Sequence, residues 1–592
     1  MTRQFVHLHV HTEYSLLDGS IRCPMLASKV AEFGMPAVAM TDHGAMYGAV
    51  DFYESCLSAG VKPIIGCEVY VAPEGHTSRD RRGKNHHLIL LAENDEGYHN
   101  LVKLCSIAYT DGFYSRPRID HGLLEKYKKG LIVSSACIAG EIPALILEGR
   151  EKDALERAFL YRDIVGKDNF FLEIMHNSIP EQSTVNRSLV AMARAHGFPL
   201  IATNDTHYLD KKDYEWHDVL LCVQTKSTLE EEGRMSFSCN DFYLRSPEEM
   251  NEIFGTDLPD ALDNTVAIAE RCNVKIPVNN REYILPGLDL PDGETPESNL
   301  AKEASAGLRR RVGDLVPEEY QSRLDLEIGV INSMGFAGYF LIVAGIIKAA
   351  REMGIPVGPG RGSAAGSVVA WSLDITGLDP IKYNLLFERF LNPERISMPD
   401  IDTDISDKGR DRLLLYIADK FGHDKVSQIG TLGRLKSRAA VKDVGRVLGM
   451  PIPEVNAITR LLPLMGDVPI PEVVEQTPEL AEMKKSDNLV ARVLDIASNI
   501  EGLARHCSQH AAGVVITPVP VTDMVPVRRI GQDQVVTQYP MEPLEKLGLV
   551  KMDFLGLRTL SIIEEALSNI ALLGKPVPDL VSIPLDDKKS YE

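Results

Sequence analysis

The chain has 592 residues, of which 44% are hydrophobic and 25% charged, with a net charge of −21 and a pI near 5.3; at ~150 residues per domain that is enough for several globular domains. Such acidity excludes a general nucleic-acid scaffold, whose affinity rests on phosphate contacts, but not a local basic groove. Nine cysteines without a Cys-x-x-Cys pair, no signal peptide and no long apolar span read as a reduced, cytoplasmic protein.

Thirteen of the 16 histidines lie before residue 218. The first 275 residues hold seven short β-rich runs, each with a potential metal ligand. Run 5–12 carries His7, His9 and His11, and run 37–44 ends near Asp42 and His43. Run 62–72 carries Glu68, run 87–94 begins with His87, and run 130–137 ends in Cys137. Run 170–177 carries Glu173 and His176, and run 199–207 ends near Asp205 and His207. Helical patterns such as 24–33 and 154–165 separate most of them, which predicts parallel βα units. Ligands near strand ends of such a barrel gather at one mouth. His-x-His on a strand aims both rings the same way, and histidine with carboxylate suits Zn²⁺, Mn²⁺ or Fe. Any one of these histidines could be a packed or surface residue; recurrence on successive strand ends argues for a site.

Residues 277–296 are rich in Pro, Asn and Gly and read as a domain seam. Helical periodicity follows over 297–311 and twice more within 320–350. Next comes Gly354-Ile-Pro-Val-Gly-Pro-Gly-Arg-Gly-Ser-Ala-Ala-Gly-Ser367. Its glycines permit an anion-binding nest of backbone N–H groups. The apolar run after Ser367 reads as a helix whose N-terminus points at that nest, and Arg361 adds a fixed positive fork. The spacing matches neither a Walker A loop nor a dinucleotide fingerprint.

The stretch Ile396-Ser-Met-Pro-Asp-Ile-Asp-Thr-Asp-Ile-Ser406 alternates at period two and predicts a half-buried strand. Asp400, Asp402 and Asp404 then share one face. Three carboxylates so close repel unless a cation holds them. Hard oxygen ligands on a strand suit Mg²⁺, and two such ions stabilise the attacking and leaving oxygens of phosphoryl transfer. An acidic edge strand that blunts aggregation reads the same in isolation. Residues 410–421 predict a helix, and 426–500 a helical insertion. Arg434, Lys436, Arg438, Lys442 and Arg446 lie there on a helix-prone run, either as a duplex-contacting face or as a solvated one. Leu547-Gly-Leu-Val-Lys-Met-Asp-Phe554 predicts an apolar strand with Lys551 and Asp553 on one face.

Four stretches, Gly358-Pro-Gly-Arg-Gly-Ser-Ala-Ala-Gly-Ser367, Asn392-Pro-Glu-Arg-Ile-Ser-Met-Pro-Asp400, His510-Ala-Ala-Gly-Val-Val-Ile516 and Lys551-Met-Asp-Phe-Leu-Gly-Leu-Arg558, resemble the bacterial DNA polymerase III alpha subunit family. The resemblance runs from residue 5 onward. It implies an α/β multi-domain fold, in which a (βα)7-type polymerase and histidinol phosphatase (PHP) barrel is followed by a nucleotidyltransferase-like palm with a helical thumb insertion. The implied divisions are barrel 1–275, palm 276–431, thumb 432–508, palm again 509–557 and the start of fingers 558–592. It implies template-directed DNA synthesis, with Asp400, Asp402 and Asp553 holding two Mg²⁺ and Asp404 in support. Gly362 and Ser363 would hold the incoming deoxynucleoside triphosphate, with Arg361, Arg389 and Lys551 as phosphate neighbours.

In the barrel the resemblance implies His9, His11, Asp18, His43, Glu68, His87, Cys137, Asp205 and His207 as ligands of up to three Zn²⁺, Mn²⁺ or Fe ions. His87 is preferred over His86 because it directly precedes Leu-Ile-Leu-Leu-Ala. All nine positions hold competent ligand types, which implies a metal-dependent phosphodiesterase, a 3′→5′ exonuclease; a purely structural metal site is the alternative. The implied partners are primer–template DNA and the replisome's sliding clamp, clamp loader and proofreading subunit. Only 34 residues follow Arg558, so the family's remaining fingers and its clamp-binding region are expected to be missing. A nuclease-only piece, and a non-catalytic half needing its C-terminal part, are the competing expectations.

Overall fold

The computed structural model describes residues 3–80, 84–278, 282–394, 398–464, 468–531, 534–580, 583–584 and 586–592. Among them the strands are β1 (Ala37–Met40), β2 (Lys62–Val71), β3 (His86–Ala92), β4 (Arg118–Ile119), β5 (Leu131–Ser134), β6 (Phe170–Met175), β7 (Leu200–Thr203), β8 (Asp402–Ser406), β9 (Val426–Arg434), β10 (Ala504–Ile516), β11 (Val527–Ile530), β12 (Gln534–Thr537) and β13 (Lys551–Leu557). The chain forms two compact units, Met1–Val278 with Gly430–Ser508 and Thr522–Pro543, and Asn279–Ile429 with Gln509–Val521 and Leu544–Glu592. The division after Val278 falls inside the Pro-, Asn- and Gly-rich stretch 277–296, of which 279–281 lie outside the described residues. Among the described residues no single helix is long and apolar enough to cross a membrane.

In the first unit the sheet order is β1-β2-β3-β5-β6-β7, with β4 pairing β2. The run 5–12 is not a regular strand. It closes the sheet through isolated bridges, His7 to Val38 and Val10 to Thr206, with hydrogen bonds from Thr41 N–H to Val10 O and from His11 N–H to Thr206 O. The sheet is not all parallel as the βα pattern predicts, because β3 is antiparallel to both β2 and β5. Among the described residues the link from β2 to β3 contains no helix, and the chain re-enters the sheet without the helical crossover that a parallel neighbour needs. That reversal puts His87, at the start of β3, at the end where the parallel strands finish.

Period two organises each strand's inward face. Ala37 and Ala39, Ile64, Ile89 and Leu91, Phe171 and Ile201 form one buried cluster with Ile268 and Ala269. Along the same faces follow His43, Glu68, His87, Glu173 and Asp205. Apolar side chains therefore fill one end of the barrel and ligand types the other.

The helical insertion belongs to this unit. Its helices, among them Ser437–Val447 and Asn488–Ile500, share a core with Val219, Leu220 and Val223 of the helix Tyr214–Thr225. Residues 426–434 are strand β9 rather than helix. Gly430 and Gly433 explain this, since a Cβ on them would meet Thr537 O at 2.1 Å and the His506 ring at 2.5 Å, the close approaches of sheet neighbours. The hairpin of β11 and β12 also lies here, held by buried Gln538, whose Oε1 accepts from Met46 N–H at 2.8 Å and whose amide donates to Val527 O at 3.0 Å.

In the second unit β8 and β13 run parallel, and β10 is antiparallel to β13. Long helices Pro296–Val312, Glu318–Ser333 and Ala337–Glu352 bury Leu300, Leu324, Phe340 and Ile346 with Ile401, Ile405, Val514 and Phe554 in one core. Residues 395–397 lie outside the described residues. The strand itself begins at Asp402, with Asp400 just ahead of it. Ile401, Thr403 and Ile405 are buried while Asp402 and Asp404 are half-buried, so the period-two pattern holds where the chain is described.

Candidate metal centres

In the barrel all nine expected ligand positions, from His9 to His207, lie at one end. Glu68 is the hub. Its Oε1 lies 3.3 Å from His9 Nε2, 2.9 Å from His87 Nδ1 and 3.9 Å from Cys137 Sγ. Its Oε2 lies 2.6 Å from His43 Nδ1 and 3.8 Å from His11 Nε2. Asp205 Oδ1 lies 3.1 Å from His9 Nε2 and 3.3 Å from His11 Nε2. Asp18 lies 3.1 Å from His43 Nε2 and 3.9 Å from His207 Nε2. Three triads each bring their donor atoms within 4.8 Å of one another: His11, His43 and His207; His9, His11 and Asp205; His43, Glu68 and His87. The neighbouring His86 makes no such approach, and His176 is exposed beyond the end of β6. His7 donates instead to Arg245 O at 2.8 Å.

These residues fit a multinuclear site. Asp18 Oδ1, His43 Nδ1, Glu68 Oε2 and Asp205 Oδ1 are buried and, although ion pairs bring them close to one another, none makes a well-aligned hydrogen bond, an arrangement that is costly unless something better pairs them. His9 and His11 point Nε2 at Nε2 across 3.1 Å, where a proton or a cation must sit between two lone pairs. The charge balance agrees. Burial penalises ionised Glu68, yet His87 and His43 hold its carboxyl well below the usual range. Burial disfavours charge on His9, but Asp205 and Glu173 raise it well above normal. Bound metals would replace such protons.

Backbone strain collects here too. Leu17, Ala136 and Asp205 have φ of 62°, 58° and 48°. Two of them directly precede Asp18 and Cys137, and the third is a ligand position itself. Non-glycine residues in this region cost on the order of 1–3 kcal/mol each and gather at functional sites.

Sequence reasoning left three supporting groups out of the site. Glu173 binds His9, Asp42 accepts from the Thr12 N–H, the Thr12 hydroxyl and the Ser15 hydroxyl at 2.6, 2.8 and 2.9 Å, and His217 binds Asp18 O at 2.6 Å. Glu173 was visible on its β-rich run, but nothing in the spacing ties it to His9, 164 residues away.

The second unit holds a carboxylate triad. Asp400, Asp402 and Asp553 bring one oxygen each within 4.8 Å of the others. Asp402 and Asp553 are direct partners across β8 and β13. Asp553 is buried, with Oδ2 2.7 Å from Lys551 Nζ and Oδ1 unpartnered. Burial raises the Asp400 carboxyl; Asp402 and Asp553 raise it further, against the pull of Lys551 and Arg361. Burial opposes charge on Lys551, but the hydrogen bond to Asp553 and the fields of Asp553 and Asp400 raise its pKa. The unpartnered Asp553 Oδ1, with the Asp400 and Asp402 carboxylates beside it, is a donor set that hard divalent ions such as Mg²⁺ accept.

Asp404 stands apart from the triad. Its carboxylate lies 3.4 Å from Arg361 Nε, and its backbone carbonyl accepts from Gly358 N–H at 2.9 Å. Arg361 also reaches Asp402 at 3.5 Å. Gly362 and Ser363 are exposed beside it, on the 3-10 turn Gly362–Gly366. Arg389 is exposed on the turn Phe387–Arg389.

One expectation fails. The helix after the glycine-rich loop, Val368–Ser372, does not offer its N-terminus to a ligand. Buried Glu327 occupies that end, accepting from the N–H groups of Val368 and Val369 at 3.0 Å each and from the Ser367 hydroxyl at 2.7 Å. Arg323 braces the same carboxylate at 2.8 Å. The anion site at this helix end is filled from within the protein.

The basic run of the insertion is also largely committed. Arg434 pairs with Glu13 at 2.6 Å, Arg438 donates to Leu462 O at 3.0 Å, and Arg446 donates to Ser227 O at 2.8 Å. Lys442 is exposed.

Residues 7–177 match the PHP domain model, and residues 298–556 match the bacterial DNA polymerase III alpha NTPase domain model. Proteins named DNA polymerase III subunit alpha are similar along the whole chain. That of Thermus aquaticus is 44% identical over 100% of this chain and 53% of its own length. That of Borreliella burgdorferi is 46% identical over 99% of this chain and 51% of its own, and that of Aquifex aeolicus 40% identical over 100% and 54%. The chain spans about half the length of the curated relatives it matches. Over that half, with a PHP domain leading into an alpha NTPase domain, the chain belongs to the DNA polymerase III alpha family.

Proposed function

We propose that the chain catalyses template-directed DNA synthesis in replication, transferring a nucleotide from a deoxynucleoside triphosphate to a primer 3′-hydroxyl. The observation that carries this reading is the register that sets Asp402 opposite Asp553 on parallel strands, with Asp400 beside them. These three would hold two Mg²⁺ ions, which when bound lower the pKa of the 3′-hydroxyl and neutralise charge on the triphosphate. The hydroxyl oxygen bonds to the α-phosphorus as the bond to the leaving pyrophosphate breaks. Arg361, Gly362, Ser363 and Lys551 contact the triphosphate, with Arg389 as a further phosphate neighbour. Residues 276–431 and 509–557, the hairpin of β11 and β12 excepted, act as palm and 432–508 as thumb in this reading. Primer–template DNA is the substrate partner; the sliding clamp, clamp loader and proofreading subunit are those of the assembled cytoplasmic replisome.

Asp400→Ala tests the assignment. Primer extension should fall to background while binding of primer–template is retained; extension at the wild-type rate would overturn it.

A second activity is supported by the nine convergent ligand types of the barrel. With Zn²⁺, Mn²⁺ or Fe held by His9, His11, Asp18, His43, Glu68, His87, Cys137, Asp205 and His207, the barrel acts as a 3′→5′ exonuclease on mispaired primer ends. Loss of 3′ shortening in His9→Ala, with extension intact, is the expected result.

A further inference from the structure

Glu173 is almost wholly inaccessible, at 1% exposure, on the central strand of the trio β5-β6-β7. Its Oε1 accepts from His9 Nδ1–H at 2.7 Å and from the Thr203 hydroxyl at 2.5 Å, and its Oε2 accepts from the Ser134 hydroxyl at 2.5 Å. The two hydroxyls come from the strands on either side. Among the described residues its one ion-pair partner is His9; no lysine or arginine reaches it. A buried carboxylate without a fixed cation is costly, and mere packing would favour a neutral residue. Everything around Glu173 instead aims it at one imidazole nitrogen.

We propose that Glu173 is the positioning residue of the barrel site, fixing the proton of His9 on Nδ1 and so presenting the Nε2 lone pair to a metal. His9 Nε2 faces Glu68 Oε1 at 3.3 Å, Asp205 Oδ1 at 3.1 Å and His11 Nε2 at 3.1 Å. A carboxylate behind a ligating histidine orients the ring and raises its basicity, and losing it costs roughly 10–100-fold in metal affinity. Ser134 and Thr203 clamp the carboxylate so that it cannot swing into the site and compete as a ligand. This inference rests on the reading of the barrel as a metal site.

The test is Glu173→Gln in the full chain, with two readouts. The first is affinity of the stripped protein for Zn²⁺, measured by competition with a chromophoric chelator. The second is the downfield Nδ1–H resonance of His9 in the metal-free protein, assigned by its disappearance in His9→Gln. Glutamine keeps the shape but loses the charge, and its amide can offer a donor to Nδ1 and favour the wrong tautomer. The expected result is roughly 10–100-fold weaker Zn²⁺ binding and loss of the resonance, with an unchanged circular dichroism spectrum. Unchanged affinity with only a lower thermal midpoint would overturn the proposal. A wild type that binds no Zn²⁺ would overturn the barrel reading, while the resonance still decides whether Glu173 holds the His9 proton. Should Glu173→Gln fail to fold, Ser134→Ala with Thr203→Val frees the carboxylate; weaker binding there supports the role, and wild-type affinity contradicts it.

Discussion

Lys551 Nζ lies 2.7 Å from Asp553 Oδ2, two residues along the same strand and on the same face. The ammonium partly neutralises a carboxylate triad that would otherwise be three converging negative charges, so it already stands where phosphate charge would develop. Lys551→Met removes that cation. Primer extension is expected to fall by roughly 10²–10³-fold, the cost of deleting one preorganised electrostatic donor, with primer–template binding nearly unchanged. Single-turnover kinetics measure both; a loss confined to DNA binding would refute this placement.

Metal binding to the barrel should be visible as stability. A ligand that binds only the folded state at about a hundred times its Kd adds ~2.7 kcal/mol. Adding Zn²⁺ or Mn²⁺ to stripped protein should therefore raise the thermal midpoint of the first unit, on the order of 5 °C, and a chelator should reverse the rise. His43 belongs to two of the three triads, so His43→Ala should abolish most of the shift. Differential scanning calorimetry reads this without any assay of activity.

Glu327→Ala should be strongly destabilising although the residue lies outside the triad. It strands two buried N–H groups, one hydroxyl and the Arg323 guanidinium that now share its carboxylate. Breaking such a buried pair costs on the order of 3–5 kcal/mol. Urea unfolding should show a lower midpoint at an unchanged slope, and the same substitution should raise the triphosphate KM by loosening the loop that carries Gly362 and Ser363.

The insertion's basic run makes a different prediction. Because Arg438 is bound to Leu462 O, Arg438→Ala should leave the salt dependence of DNA binding unaltered and reduce stability by ~1 kcal/mol. A fall of about one in the slope of log K against log salt would instead mark a phosphate contact.

Much of this was legible in the sequence because it is local. Alternation at period two put Asp402 and Asp404 outward over buried Ile401, Thr403 and Ile405, and the position of His87 before an apolar run separated it from His86. What the sequence did not show depends on distant partners. Nothing near residue 368 reveals that Glu327, 41 residues earlier on the helix Glu318–Ser333, closes that helix end. The antiparallel entry of β3, the strand at 426–434 and the internal use of Arg434, Arg438 and Arg446 are likewise settled by tertiary neighbours that override local propensity. The hairpin of β11 and β12 reads as part of the palm by its place in the chain, yet it joins the first unit through Gln538.

Polymerase activity of the carboxylate triad can be read from one gel. The purified chain is placed on an end-labelled primer–template with Mg²⁺, with and without deoxynucleotides, beside Asp402→Asn. Longer products that follow the template, require the triphosphates and vanish in Asp402→Asn are expected. Equal extension by Asp402→Asn, or a primer that the wild-type chain leaves unextended, would rule out synthesis at this triad.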